Sequence, residues 1–315
     1  MAISVTIHAM IKTYTLHPGH VPTESPLGAK DTITFCTEPT KHEVDSLVKG
    51  IGLDHDRVQD ALDKYETPRI EQYEEKTYFY VRYCNPNNNE LATEPITIID
   101  TKKQLVVIFR QKTAFSEKLL SRISGLAAKR TLIILSIMAE INQSYRTYLL
   151  KVSREVLGVR SKLNKHDIDN KDFINFIDIE EDLNEITGTL QSCDHLMSMI
   201  LRGKLIKMYE EDVDLAEDVE LGIKELLTVA ETRKLTIAST REAYSTIMAN
   251  NLNKTFKKLT SISIFMTIPT ITSGLYGMNL ILPLAKNHFA FWYILGIVMA
   301  ITTFVIWLFK KLKWL

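Results

Sequence analysis

Thr260, Ser263, Thr267, Thr270 and Gly274 follow one another at spacings of three, four, three and four. On a helix of about 3.6 residues per turn these positions share one face, so their hydroxyl oxygens form a stripe. Phe256 and Asn253 prolong it in one direction and Gly277 in the other. Two helices cannot enclose a pathway, but a symmetric ring of identical chains could turn such stripes inward as a water-filled pathway lined by oxygen atoms. The plainer alternative is that small and hydroxyl-bearing residues let membrane helices pack closely. A second concentration of chemistry is the run Glu210, Glu211, Asp212, Asp214, Glu217, Asp218 and Glu220, which contains no Lys or Arg. Such a run is most simply a solvated helix face.

The elements that must position these residues can be read from where charge is missing. Residues 259–285 and 289–309 carry no charge. A hydrocarbon layer about 30 Å thick needs roughly 20 apolar helical residues, and both stretches are long enough. Two transmembrane helices are predicted, the first bearing the hydroxyl stripe and the second almost wholly apolar, with interfacial Trp292, Tyr293 and Trp307 suited to face lipid. The 315 residues balance 38 basic against 38 acidic side chains, yet no acid follows Glu242, and Lys254, Lys257, Lys258, Lys286, Lys310, Lys311 and Lys313 occupy the tail. An acidic body of net −7 thus carries a tail of net +7, a pattern that gives no reason to expect a nucleic-acid partner. Three lysines precede the first span and three follow the second, against Lys286 alone between them. The positive-inside bias therefore places both termini and the acidic body in the cytoplasm of a multi-pass plasma-membrane protein, with the hairpin loop 286–288 facing out.

The body divides in two. Thr77–Tyr83, Ile96–Asp100 and Gln104–Phe109 are β-branched and aromatic runs bounded by turn-rich sequence, with a short hairpin turn over 100–103. Together with helices over 43–49 and 57–64 they predict an α/β domain over residues 1–114. No proline lies between Ile96 and Ile268, which permits long helices. Apolar residues spaced by three and four, such as Leu132, Leu135, Met138 and Ile141, predict a helical layer over 115–214, broken near 164–172. After a second break at 209–214 a single helix is predicted from about Leu215 to about Tyr276, on the order of 90 Å long. Too long for a globule, it reads as a stalk (215–258) running into the first span. Cys36, Cys84 and Cys193 lie far apart, as small buried hydrophobes rather than disulfide or metal partners. No enzyme signature such as GxxxxGK[ST], GxGxxG, GxSxG or HExxH is present, and His17 and His20 are too isolated for a metal pair. No enzymatic activity is expected.

The first span ends in Gly274-Leu275-Tyr276-Gly277-Met278-Asn279. This resembles the CorA family of divalent cation channels, whose Gly-Met-Asn follows an aromatic residue at the end of the first of two C-terminal membrane helices. Lys257-Lys258-Leu259-Thr260 at the start of the span and the closing Lys310-Lys311-Leu312-Lys313-Trp314-Leu315 are similar to that family too. The resemblance implies a funnel-shaped homopentamer: α/β domain, helical layer, stalk, pore helix over 259–279, outer loop over 280–288, second membrane helix over 289–309 and basic tail over 310–315. It implies a selectivity filter of Gly277, Met278 and Asn279 and pore-lining Asn253, Phe256, Leu259, Thr267 and Thr270. It also implies that Mg²⁺ is both cargo and regulator, the regulatory ion being bound between subunits by Asp60 and Asp218. Neutral amide and carbonyl oxygens suit an ion that releases its water reluctantly, and Phe256 with Leu259 would make a hydrophobic constriction.

Two features depart from the family pattern. Gln59 stands where a second acid is frequent, and residues 280–288 hold no acid and carry the opposite charge at Lys286, with His288 as an interfacial residue. Co²⁺, Ni²⁺ or Zn²⁺ as cargo, and a non-conducting membrane-anchored scaffold or sensor, remain the alternatives. The scaffold alone makes no demand on Asn279.

Overall fold

The computed structural model describes residues 11–16, 22–85, 91–123, 129–164, 170–203, 206, 208–278, 289–312 and 314. The expectations placed on Asn279, on the loop residues 280–288 and on His17 and His20 lie outside them. The chain forms two compact units, Met1–Ser239 and Thr240–Leu315.

The first unit is built on one mixed sheet of seven strands: β1 (Ile11–Thr15), β2 (Thr23–Glu24), β3 (Thr32–Thr37), β4 (Arg69–Tyr73), β5 (Lys76–Cys84), β6 (Thr93–Asp100) and β7 (Gln104–Phe109). Their order is β2-β1-β3-β7-β6-β5-β4. The β3–β7 pair is parallel, with Ile33 opposite Leu105, and the other pairs are antiparallel. The three strands expected from the sequence are the long central ones. β1 to β4 escaped that reading because they are short or Thr-rich, and β4, with its Arg69 and Glu71, lies at an edge where polar residues meet solvent. In the β6–β7 hairpin the Thr101 N–H reaches the Gln104 carbonyl at 3.0 Å, and the Thr101 hydroxyl accepts the Gln104 N–H at 2.9 Å.

Alternation along the strands feeds two cores. Phe79, Val81 and Tyr83 of β5 and Leu105, Val107 and Phe109 of β7 face one side, while Tyr78, Tyr80, Val106 and Ile108 face the other. The second side is covered by α1 (Lys41–Ile51) and α2 (His55–Asp60) through Val44, Leu47 and Val58. Both helices begin where the sequence supplies a cap: Thr40 and Glu43 form a reciprocal capping box on α1, and the Asp54 carboxylate accepts the Arg57 N–H at 3.2 Å on α2. α1 stops at Gly52, whose φ of +73° a side chain would resist. Both helices are offset from the expected spans: α1 extends over both ends of 43–49, and α2 starts two residues before 57 and closes at Asp60 rather than 64.

The first side receives α3 (Ala114–Ile123), α4 (Arg130–Asn164), α5 (Asn170–Leu201) and the start of α6 (Glu210–Tyr276). Beyond β7 the proline-free stretch forms the expected long helices, with α4 of 35 residues and α5 of 32 separated near the polar break. Ala216, Val219, Ile223, Leu226, Ala230 and Ile237 of α6 are buried. As far as Ala230 they step by three and four, and Ile237 follows two turns later, the period with which a helix lays one seam on its neighbours. Each fully buried Leu or Ile contributes about 1.5–3 kcal/mol relative to exposure. α6 begins at Glu210, five residues before the expected Leu215, because Asp212 turns back to accept the Tyr209 N–H at 3.0 Å and caps the first turn. Cys36, Cys84 and Cys193 are buried and unpaired. Burial pushes the Cys36 thiol up to about 12, so no reactive thiolate is available there.

The second unit consists of the remainder of α6 and α7 (Ala290–Lys311). Both helices are long and apolar enough to cross a membrane. On α6, Ser261, Phe265, Ile268 and Thr272 are shielded, again at spacings of four and three; on α7 the shielded residues include Ile294, Val298, Thr302, Val305 and Phe309. The Phe265 and Phe309 rings meet edge to face at 5.6 Å. Trp292, Tyr293 and Trp307 are exposed.

Candidate functional site

The hydroxyl stripe lies on the side of α6 opposite the face that meets α7. Thr260, Ser263, Thr267, Thr270, Gly274 and Gly277 are all exposed, as are Asn253, Phe256 and Leu259. Leu259 sits beside the stripe rather than on it. The hydroxyl geometry adds something that spacing cannot give. Ser263 donates to the Leu259 carbonyl at 3.0 Å, Thr267 to that of Ser263 at 2.8 Å and Thr270 to that of Met266 at 2.8 Å. With its proton committed to the backbone four residues earlier, each of these oxygens offers only lone pairs outward. A hydrated cation presents the hydrogens of its water shell, so a row of acceptors is the complementary surface.

At the end of the stripe the Gly277 N–H bonds the Ser273 carbonyl at 2.9 Å and the Met278 N–H bonds that of Leu275 at 3.3 Å. A Cβ on Gly277 would stand 3.2 Å from the Ser273 oxygen and 3.6 Å from that of Gly274. Glycine therefore lets the chain close tightly over the last turn just before the Met-Asn pair. Inside the same helix Pro269 donates no hydrogen bond, which frees the Phe265 carbonyl without ending the helix.

Caps and ion pairs distinguish the acids of the first unit. Of the seven between 210 and 220, three have a partner within the chain. Asp212 is 1% exposed at its cap. Glu211 pairs with Lys129 at 3.1 Å. Glu220 accepts from Lys224 and Ser198, both at 2.8 Å, and the Lys224 hydrogen bond is the main cause that holds its carboxyl below the usual range. Glu210, Asp214, Glu217 and Asp218 remain exposed, with no ion pair among the described residues. Asp60 closes α2 with its side chain 45% exposed, and its Oδ2 lies 2.8 Å from Nη2 of Arg69. Asp60 and Asp218 share no hydrogen bond or ion pair within the chain. Among the described residues no three His, Cys, Asp or Glu side chains converge as a metal site. The sequence pattern did not single out Arg69, although a cation nine residues after a candidate ligand was the available signal.

Residues 34–311 match the family model described as CorA-like Mg²⁺ transporter protein. The chain belongs to that family. This CorA-like chain is 24% identical over 288 residues to the cobalt/magnesium transport protein CorA of Methanocaldococcus jannaschii, covering 89% of this chain and 90% of the relative. The complete structure of the M. jannaschii CorA magnesium transporter has the same fold, with a TM-score of 0.84 at 21% identity over 98% of this chain and 100% of that one. Full-length CmaX is similar at a TM-score of 0.74 and 16% identity, covering 96% and 97% of the two chains. The cytoplasmic domain of ZntB from Vibrio parahaemolyticus is more distant, at 0.61 and 12% identity over 76% of this chain and 97% of that domain. The expected fold of a CorA-like α/β domain, long helix and apolar C-terminal helix is thereby met.

Proposed function

We propose that this CorA-like chain assembles as a homopentamer in the plasma membrane, both termini cytoplasmic, and conducts Mg²⁺, with Co²⁺ and Ni²⁺ as lesser cargo. The observation that carries the reading is the exposed acceptor stripe of α6, which turns away from α7 and ends at Gly277. In a ring, stripes from neighbouring subunits would surround a hydrated ion, with Phe256 and Leu259 as an apolar constriction below and Asn253 beneath that. Gly277, Met278 and Asn279 form the filter in this reading. The Zn²⁺ alternative is disfavoured by the distance of the ZntB likeness. A scaffold without conduction leaves the acceptor stripe without a use.

The regulatory part of the reading assigns Mg²⁺ to Asp60 of one subunit and Asp218 of the next. The donor set fits: both carboxylates are hard oxygen ligands, both are solvent-accessible, and neither is committed to a helix cap. Bridging would hold neighbouring subunits together, and loss of the ion would leave like charges facing each other and favour opening.

The test is flux into liposomes by purified protein, comparing Mg²⁺, Co²⁺, Ni²⁺ and Zn²⁺ under an imposed voltage and an imposed pH gradient. Voltage-driven Mg²⁺ flux that collapses in Asn279→Ala is expected. Unchanged flux in that variant refutes the filter, and flux that follows only the pH gradient refutes the channel.

A further inference from the structure

The carboxylate assigned above to the regulatory ion already has a cation. Arg69, first residue of β4, is paired in register with Tyr80 of β5, and its guanidinium lies 4.1 Å above the Tyr80 ring. The Tyr80 hydroxyl in turn donates to the Arg57 carbonyl of α2 at 3.1 Å. Arg69 reaches Asp60 at 2.8 Å, bonds Glu66 through its other terminal nitrogen, and lies 3.6 Å from Glu71. Arg57 serves the inner side of the same cluster, pairing with Asp54 at 3.1 Å and with Glu71. Among the described residues, two guanidinium groups thus serve four carboxylates. Their side-chain exposures run from 12% for Glu66 through 25% for Asp54 and 31% for Glu71 to 45% for Asp60. Asp60 is the outermost, and it receives one hydrogen bond from Arg69.

We propose that Arg69 is a tethered competitor for the divalent cation at Asp60, so that the ion binds by displacing a guanidinium rather than water alone. The inference rests on the reading of Asp60 as a regulatory ligand. A divalent cation on Asp60 with Arg69 still attached would set like charges roughly 5 Å apart, where repulsion in a partly exposed site is appreciable. Release is nevertheless undemanding, because Arg69 keeps Glu66, Glu71 and the Tyr80 face when it lets Asp60 go. The consequence is a raised threshold: the sensor fills only when the ion concentration is high enough to outcompete an internal salt bridge. A guanidinium that merely orients Asp60 would have the opposite effect, and its removal would weaken binding.

The midpoint Mg²⁺ concentration for protection of the full-length, detergent-solubilised protein from limited proteolysis reads the site without reference to flux. Arg69→Gln should lower that midpoint about three- to tenfold, the effect of losing one partly exposed ion pair. Glu66→Gln, which removes the alternative anchor and leaves Arg69 more firmly on Asp60, should raise it. Asp60→Asn should abolish protection. A midpoint unmoved or raised in Arg69→Gln overturns the competition while leaving Asp60 a ligand, whereas protection that survives in Asp60→Asn removes the ligand reading itself and the competition with it. Should Arg69→Gln not fold, Glu66→Gln decides alone: a raised midpoint supports the competition, and one unchanged or lowered overturns it.

Discussion

Gly277 donates its N–H to the carbonyl oxygen of Ser273 at 2.9 Å, and a Cβ at position 277 would stand 3.2 Å from that same oxygen. The hydrogen bond and the steric limit act on one atom, so the last turn before Met278 is closed as tightly as a residue without a side chain permits. Gly296 of α7 has nothing within 4 Å of its would-be Cβ.

Gly277→Ala should therefore displace the Ser273 carbonyl by a few tenths of an ångström at a cost on the order of 1 kcal/mol. Because the distortion falls next to the proposed filter, Mg²⁺ flux in liposomes should drop by up to about tenfold, as 1.4 kcal/mol corresponds to a factor of ten. The melting temperature should hardly change. Gly296→Ala should leave both flux and melting temperature near the parent values.

Thr270 and Thr272 each donate to the carbonyl four residues earlier, at 2.8 and 3.0 Å, but Thr270 is exposed on the stripe and Thr272 is shielded on the opposite side. Replacement by Val removes the same kind of internal bond from both, so the stability effect should be alike. Mg²⁺ flux should fall several-fold in Thr270→Val and stay near the parent value in Thr272→Val. Equal flux in the two variants would remove the acceptor stripe from the conduction path.

The two proposed regulatory acids should act as a pair. Asp60→Ala and Asp218→Ala should each relieve inhibition by Mg²⁺ on the side of the acidic body, and the double variant should add little to either, as expected for residues sharing one ion. Glu220→Ala, whose carboxylate is occupied by Lys224 and Ser198, should retain the inhibition. Full inhibition in both single variants refutes the site.

Acid should loosen α2 by a defined route. Asp54 has its carboxyl held below the usual range, chiefly because it accepts the Arg57 N–H, with the Arg57 guanidinium assisting. Its folded-state value is thus below its unfolded one. The stabilisation is complete above the unfolded value, near 3.9, and is lost as pH falls through the lower folded value. Asp54→Asn keeps a cap acceptor without the titration and should flatten the acid limb of a melting-temperature profile. Asp54→Ala should cost about 1 kcal/mol at neutral pH.

Glu185 of α5 accepts the Ala92 N–H at 3.0 Å and the Thr93 N–H at 3.2 Å, joining the helical layer to the start of β6. Glu185→Ala strands two partly buried amides, each worth about 1–3 kcal/mol when unsatisfied. The melting temperature should fall by several degrees, with Glu185→Gln intermediate because it retains one carbonyl acceptor.

The sequence by itself determined the two spans, the face of α6 that bears hydroxyls, the long helices of the proline-free stretch and the three central strands. Each of these is a matter of local period or of charge missing over many residues, and a long apolar or periodic run has few alternative structures. Charge placement likewise fixed which acids are numerous but not which are free. Glu211 finds Lys129, which is distant in sequence, and Asp212 and Glu220 are taken by a cap and by a partner on α5. Only tertiary structure left Asp218, like Glu217 beside it, exposed while Asp212 and Glu220 were used, and only β4 beside β5 brought Arg69 over Tyr80 and against Asp60. The short edge strands were illegible for the same reason. Their residues are chosen by what lies across the sheet, and a pairing partner far along the chain leaves no periodic trace in the segment it stabilises.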